Sequence, residues 1–377
     1  MTVDLLLAGG RVLTPAEELA DAWVAVSGGR IEGLGDGPPP AAAETVDLAG
    51  RLLAPGFIDV HVHGGGGEDF MSADAAACAR AARFHAHHGT TGLLATTLSA
   101  PRAELAAAVR AIAEAGDPLI LGVHLEGPWL SERRRGAQAA EHVRPPDPGE
   151  LEELLGAGPL RLVSLAPELP GALETIERIA AAGAVPALAH TDATYAQASA
   201  AIAAGARHAV HVFNGMRPFH HREPGVLGAV LDDPAVTCEL ILDGLHVHVA
   251  AARLLHRAKG AAGTVLITDA IAATGLGDGE YRLGRTPIRI TGGRAETLDG
   301  HLAGTTLTMD AAVRRAHESL GVPLTDAVAM ATTTPARVVG LGDRKGRIAP
   351  GFDADLVVLD EALRPSTTFL GGRRVHG

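Results

Sequence analysis

The sequence predicts an α/β fold: a (β/α)8 barrel of the TIM type with a small β-sandwich domain formed by both chain ends. Three observations predict it. Apolar runs and helical patterns alternate eight times through the middle of the chain. Short strand-like segments, punctuated by glycine and proline, occupy both ends. Histidines and acidic residues recur where the apolar runs stop.

The first fifty residues read as short strands at 3–7, 22–27, 30–34 and 45–48. Gly9-Gly10, Gly28-Gly29 and Pro38-Pro39-Pro40 separate them as turns. The C-terminal stretch returns to this texture. Gly346-Arg347-Ile348 leads through Pro350-Gly351 to an apolar run at 354–359, and a further pair surrounds Gly371-Gly372. Neither end makes a domain alone. Residues 1–53 plus 346–377 are therefore expected to form one small domain, leaving 54–345 to the barrel. Within the latter, strand-like runs lie at 57–62, 91–95, 119–125, 160–165, 185–189, 209–213, 237–242 and 264–267. Helical patterns include 73–88, 101–115, 173–182, 194–204, 249–259 and 309–320. A barrel of this kind takes about 250 residues. A doubly wound open sheet is the alternative, but no Gly-x-Gly-x-x-Gly stands at a strand–helix junction to favour it. Tyr281-Arg282-Leu283 and Ile288-Arg289-Ile290 alternate like a hairpin, so 275–302 is expected to hang over the barrel mouth.

Charge and cysteine usage narrow the function. The formal net charge of −12 argues against nucleic acid or an anionic membrane as partner. It leaves room for an anionic small substrate in a locally positive pocket. Cys78 and Cys238 are the only cysteines, which argues against a disulfide framework and for a reducing cytoplasm. Met1-Thr2-Val3-Asp4 lacks the basic and apolar regions of a signal peptide, and no run of about 18 apolar residues suggests a membrane span.

The most informative residues are His61 and His63, in Pro55-Gly56-Phe57-Ile58-Asp59-Val60-His61-Val62-His63. Residues i and i+2 of a strand share a face, so both imidazoles leave one strand end together. An isolated His-x-His is compatible with a polar strand end. Here Glu126, His190, His211 and Asp269 also stand at or near the ends of later runs. In a barrel all six project at the C-terminal mouth, where active sites are built. Imidazole and carboxylate ligands suit a divalent metal, zinc first, with iron, cobalt or manganese also accommodated. Such a metal lowers the pKa of its bound water to about 7 and polarises a carbonyl. A carboxylate beside that water can take its proton and pass it to a leaving nitrogen. Asp269, after the last strand, is the candidate.

The chain resembles the amidohydrolase superfamily in His61-Val62-His63 after Pro-Gly-Phe-Ile-Asp, and in Gly346-x-Ile-x-x-Gly351-x-x-Ala354-Asp355-Leu356. More specific motifs resemble the N-acetylglucosamine-6-phosphate deacetylase family within it. They are His124-Leu125-Glu126-Gly127-Pro128, His190-Thr191-Asp192-Ala193, His211-Val212-Phe213-Asn214-Gly215-Met216, Arg222-Glu223-Pro224-Gly225, Asp243-Gly244-Leu245-His246 and Thr268-Asp269-Ala270. The resemblance implies hydrolysis of the acetamido group of a phosphorylated amino sugar. It implies that Glu126, His190 and His211 bind the principal metal and that Asp269 is the catalytic acid/base. It assigns sugar-phosphate contacts to Ala137, Asn214, Gly215, Arg222, Asp243, His246, Leu302, Ala303 and Gly304. It also implies a homodimer in which Arg222 reaches the neighbouring subunit's site; guanidinium suits that task because it pairs bidentately with phosphate.

Two departures from the family pattern matter. Some members lack the His-x-His pair and carry one metal, whereas His61 and His63 here allow a second. Some members place a histidine after the Lys-Gly-x stretch to polarise the substrate carbonyl. Here Gln138 follows Arg135-Gly136-Ala137, and an amide donates a hydrogen bond without a charge. Other amidohydrolases that bridge two metals with a modified lysine are a rival reading, but no lysine precedes Lys259. A non-catalytic phosphosugar-binding protein is the second rival, and it has no need of Asp269. Among weaker signals, His85, His87 and His88 are expected on the surface at a helix end. His124 is expected behind the ligands or in the core, and Trp129 in packing.

Overall fold

The computed structural model describes residues 2–377. Eight parallel strands form the central sheet: β1 (Phe57–Val62), β2 (Thr90–Thr96), β3 (Ile120–Glu126), β4 (Leu160–Leu165), β5 (Val185–Leu188), β6 (His208–Ala209), β7 (Thr237–Ile241) and β8 (Thr264–Ile267). Each pairs with its neighbour in sequence. Strands covered on both faces need no polar alternation, and every residue of β1 and β2 is buried. Closure occurs just past the end of β8. The His63 amide donates to the Ala270 carbonyl at 2.8 Å, and the Asp269 amide to the His61 carbonyl at 2.9 Å. The same two bonds set Asp269 beside the His-x-His pair.

Helices cross between the strands, as right-handed parallel connections require. Tyr195–Ala204 opens with a reciprocal capping box between Thr194 and Gln197. Asp74 caps Ala75–Ala86 by accepting from the Ala76 amide. Two helices that the periodicity does not announce, Pro148–Ala157 and Gly225–Asp232, begin at or just after a proline. Pro-Gly reads as a turn, yet proline is well tolerated in a first helical turn because its missing N–H is not needed there.

Two expectations are corrected. The sixth run was expected to stay extended over 209–213, but β6 stops at Ala209. His211 and Phe213 take left-handed backbones, φ 27° and 84°, which no strand accommodates. His85 is fully buried rather than superficial, with its Nε2 at 3.0 Å from the Gly64 carbonyl. Burial holds its imidazole down at about 4.

Strands from both chain ends form a separate domain around one continuous sheet, which branches at Val3–Leu13. That strand pairs through residues 3–8 with Ala42–Asp47 and through residues 11–12 with Leu52–Pro55. The register shifts between, around Gly9 and Gly10. A Cβ on Gly10 would stand 2.5 Å from the Arg51 carbonyl, so only glycine fits where the two partners diverge. Leu356–Leu359 joins Leu52–Pro55 antiparallel, which knits the C-terminal segment to the N-terminal one. Leu7, Val24, Ile31, Leu53, Val358 and Phe369 share its core. The expected hairpin is a three-stranded sheet, Gly279–Leu283, Thr286–Thr291 and Arg294–Thr297. Its Ile288 and Ile290 pack with Leu98, Ile271 and Ala303 of the mouth.

Candidate metal centre and substrate cavity

The residues singled out by their strand-end positions converge. Glu126 closes β3, while His190, His211 and Asp269 follow β5, β6 and β8. The last three take left-handed backbones, with φ of 42°, 27° and 51°. Such conformations cost of order 1–3 kcal/mol each. They turn each side chain inward over the barrel axis instead of along the strand.

Glu126 Oε1 lies 3.1 Å from His190 Nε2 and 2.9 Å from His211 Nε2, and the two nitrogens are 3.1 Å apart. His190 Nδ1 is 2.7 Å from the Arg134 carbonyl, a bond that only a protonated Nδ1 can make. A neutral His190 therefore presents its Nε2 lone pair to the other two ligand atoms. The His190 Nε2 lone pair and the Glu126 carboxylate repel one another at this distance unless positive charge, from a metal or a proton, lies beside them. The donor set thus fits a bound metal, and the carbonyl behind His190 is the kind of outer support that fixes a ligand's tautomer.

A second group adjoins it. His61 Nε2 and His63 Nε2 are 3.3 Å apart, and Asp269 Oδ1 lies 3.6 and 3.3 Å from them. Glu126 belongs to both groups, since its Oε2 is 3.4 Å from His63 Nε2. His63 is tied back to the Thr96 carbonyl, and His61 Nδ1 to Glu239 Oε2 at 3.0 Å. Burial opposes charge on both imidazoles, but Glu239, Glu126 and Asp269 around His61, and Asp269 and Glu126 around His63, outweigh it. The two are raised to about 9 and about 10. The histidines in turn outweigh burial at Asp269, holding its carboxyl below the usual range, and Glu126 well below it. The centre as a whole demands positive charge, which protons or a metal can supply.

Sequence reasoning missed Glu239. It is completely buried in β7, and one of its oxygens accepts from both His61 Nδ1 and the His211 amide, at 3.0 and 2.9 Å. The other meets His208 Nε2 at 3.0 Å. One carboxylate thus links a ligand of each group. A glutamate inside the apolar run Thr237-Cys238-Glu239-Leu240-Ile241 was the available signal, because a buried charge must be paired. Asp59 is a second case: it accepts from the Thr268 hydroxyl and amide across the barrel seam. His124 packs edge-on against the His61 ring, centroids 4.6 Å apart, and both of its nitrogens are bonded, to the Val60 carbonyl and Ser164 Oγ. Trp129 is fully buried in packing, with its indole N–H on Glu150.

Over the centre lies a cavity of about 280 Å³. Ala137, Gln138, Asn214, Gly215, His246, Leu302 and Gly304 line it together with His63, Glu126, His190, His211 and Asp269. His301, not singled out from the sequence, lines it too. Gln138 is pinned at both ends of its amide: Nε2 donates to Glu126 Oε2 at 2.8 Å, and Oε1 accepts from the Ser99 amide at 2.8 Å. Gly215, at φ 59°, has no room for a side chain, since a Cβ would lie 2.7 Å from His190 Nδ1. Asp243 holds His246 from behind, Oδ2 to Nδ1 at 2.6 Å. Ala303 is buried under the three-stranded insertion. Arg222 is exposed, pairs with His221 Nε2 at 2.9 Å and does not border the cavity of its own chain.

A barrel with this ligand arrangement at its C-terminal mouth defines a metal-dependent hydrolase of the amidohydrolase type, and the sequence profile described as "Amidohydrolase family" matches residues 52–375. The chain belongs to that family. More particularly, it is similar over its whole length to N-acetyl-D-glucosamine-6-phosphate deacetylase from Mycobacterium smegmatis, whose structure as a mutant in complex with N-acetyl-D-glucosamine-6-phosphate superimposes with a TM-score of 0.94. The two are 41% identical, with 100% of each chain covered. The N-acetylglucosamine-6-phosphate deacetylase of Vibrio furnissii is 39% identical, covering 97% of this chain and 93% of its own. An N-acetylgalactosamine-6-phosphate deacetylase from Escherichia coli O157:H7 is 38% identical, covering 98% of each. Among the described residues, no helix is long and apolar enough to cross a membrane.

Proposed function

We propose that this chain removes the acetyl group from N-acetylglucosamine 6-phosphate, giving glucosamine 6-phosphate and acetate. The observation that carries the reading is the convergence of Glu126, His190 and His211 beside Asp269, in a cavity that His246, Asn214 and Gly215 also line. Glu126, His190 and His211 would hold a divalent metal, zinc by preference, and His61 and His63 a second. When bound, the metal supplies a more acidic water and a polarised amide carbonyl. The protein's own residues do the rest. Asp269 is ionised and aimed at the same space, so it takes the proton of the attacking water and delivers it to the leaving nitrogen. The Gln138 amide keeps Glu126 in register. His246, oriented by Asp243, and the loop at Asn214 and Gly215 receive the phosphate end. Leu302 and Gly304, with Ala303 packed behind them, close over the sugar.

The phosphate carries more charge than His246 alone offsets. Arg222 stands outside its own cavity on a loop that also exposes Phe219, which supports a homodimer with Arg222 lent to the partner's site. Two free, buried cysteines suit a cytoplasmic enzyme.

The test is an assay of acetate and free amine from N-acetylglucosamine 6-phosphate, its galactosamine epimer and unphosphorylated N-acetylglucosamine, before and after metal chelation. The reading expects fastest turnover of the glucosamine phosphate, slow turnover without phosphate, and loss on chelation that added zinc restores. Absence of acetate release from any of the three by metal-replete protein would overturn it.

A further inference from the structure

A larger cavity, about 400 Å³, lies between the three-stranded insertion and the barrel mouth. It is separate from the catalytic cavity but shares a wall with it: Leu98, Ala137, Gln138 and Leu283 border both. The partition is thin. Leu98 reaches the backbone beside Leu283, since a Cβ on Gly284 would lie 3.0 Å from Leu98 Cδ1. Beyond it, the second cavity continues along Met71, Ala100 and Leu276.

Substrate chemistry gives this wall a meaning, on the function proposed above. The phosphate belongs at His246 and Asn214, and the amide carbonyl at Glu126 and Asp269. The acyl substituent is the one apolar end of the molecule. The leucines and alanine that line the catalytic cavity are Leu98, Ala137, Leu283 and Leu302. Three of these four belong to the shared wall, so the acyl end faces the partition.

We propose that the second cavity is a subsite for the tail of longer N-acyl groups, and that Leu98 sets the acyl length admitted to it. The ligand class is an amino-sugar phosphate N-acylated with an unbranched chain of four to six carbons. The chemistry is that of deacetylation: water oxygen bonds to the acyl carbon, the C–N bond breaks, the amine leaves with a proton and the carboxylate is released. Burial of each methylene is worth about fourfold in binding, and this gain accrues only where the tail passes the partition.

The experiment is a series of kcat/KM values for N-acetyl-, N-propionyl-, N-butyryl- and N-hexanoylglucosamine 6-phosphate, read by release of the free amine. In Leu98→Ala the butyryl-to-acetyl and hexanoyl-to-acetyl ratios should rise at least tenfold. Leu276 borders only the second cavity and is half exposed, so Leu276→Trp tests the idea in a variant whose fold is not at risk. There the hexanoyl-to-acetyl ratio should fall severalfold. Ratios unchanged in both variants, with acetyl hydrolysis intact in the parent protein, overturn the subsite alone. A parent protein that releases no acetate overturns the function on which it rests.

Discussion

At the proposed metal end of the cavity, each candidate ligand stands on a barrel strand or within two residues of its end. Each of His61, His63 and His190 has its far nitrogen tied to a protein oxygen. At the proposed phosphate end, Asn214, His246 and Arg222 stand on loops, and Arg222 lies outside its own chain's cavity. The difference teaches where each task tolerates slack. Metal binding and proton transfer fail with small displacements, so the residues proposed for them belong on or next to the most rigid elements available. Anchoring a phosphate tolerates more, and it can be shared between subunits.

The comparison breaks first at the metal end. Changing His190 or His211 to alanine should abolish both bound metal and activity, read by elemental analysis and acetate release. Changing His61 and His63 together should remove at most one metal and leave measurable turnover. Complete metal loss in that double variant would contradict the division of the centre into a principal and an additional site. Next in size is Asp269→Asn. It keeps the side chain's shape but cannot accept the water's proton, so turnover should fall roughly 10²- to 10⁴-fold with metal content unchanged. Near-normal turnover would remove Asp269 from its role.

At the phosphate end the expected effect is smaller and falls on KM. A charge-assisted hydrogen bond is worth about 1.5–3 kcal/mol, or about ten- to a hundredfold in binding. Arg222→Ala should raise KM by that factor for the 6-phosphate and barely change it for the free sugar. Equal effects on both substrates would show that Arg222 does not read phosphate.

The smallest expected effect concerns the scaffold. His85 is held neutral by burial, at about 4 against an ordinary 6.5. Its contribution to stability is therefore complete above pH 6.5 and is lost as pH falls toward 4, because only the unfolded chain takes up the proton. At pH 5 the loss is about 2 kcal/mol. Urea unfolding at pH 7.5 and 5 should show His85→Gln to be less acid-sensitive than the parent by about that amount. An identical pH dependence would contradict the buried, neutral assignment.

The same division governs what the sequence reveals. Strand-end polar residues are legible because a polar residue at the end of an apolar run is out of place, and six of them in order point to one mouth. The alternation of apolar runs and helical patterns is legible for the same reason, being periodic. Glu239 and Asp59 were missed because each sits inside a run that otherwise reads as buried strand, and their partners are remote in sequence: His61 for Glu239, Thr268 for Asp59. The short β6 was missed because Val210 and Val212 continue an apolar pattern through a left-handed backbone. His301, at the edge of the insertion, carries no local signal at all. The helix at Gly225–Asp232 was hidden by Pro224-Gly225, which spells a turn and starts a helix.

The central claim of the proposed function is that the chemistry is complete within one chain while Arg222, one part of the phosphate anchor, comes from the other. Mixing inactive Asp269→Asn protein with Arg222→Ala protein tests it most directly, once subunit exchange has been verified. In a mixed dimer one site keeps its own Asp269 and borrows Arg222 from its partner. The account predicts recovery of turnover at low concentrations of N-acetylglucosamine 6-phosphate, approaching one working site per mixed dimer, with no gain for the unphosphorylated sugar. Verified exchange with no recovery would place Arg222 in its own chain's site and contradict the account.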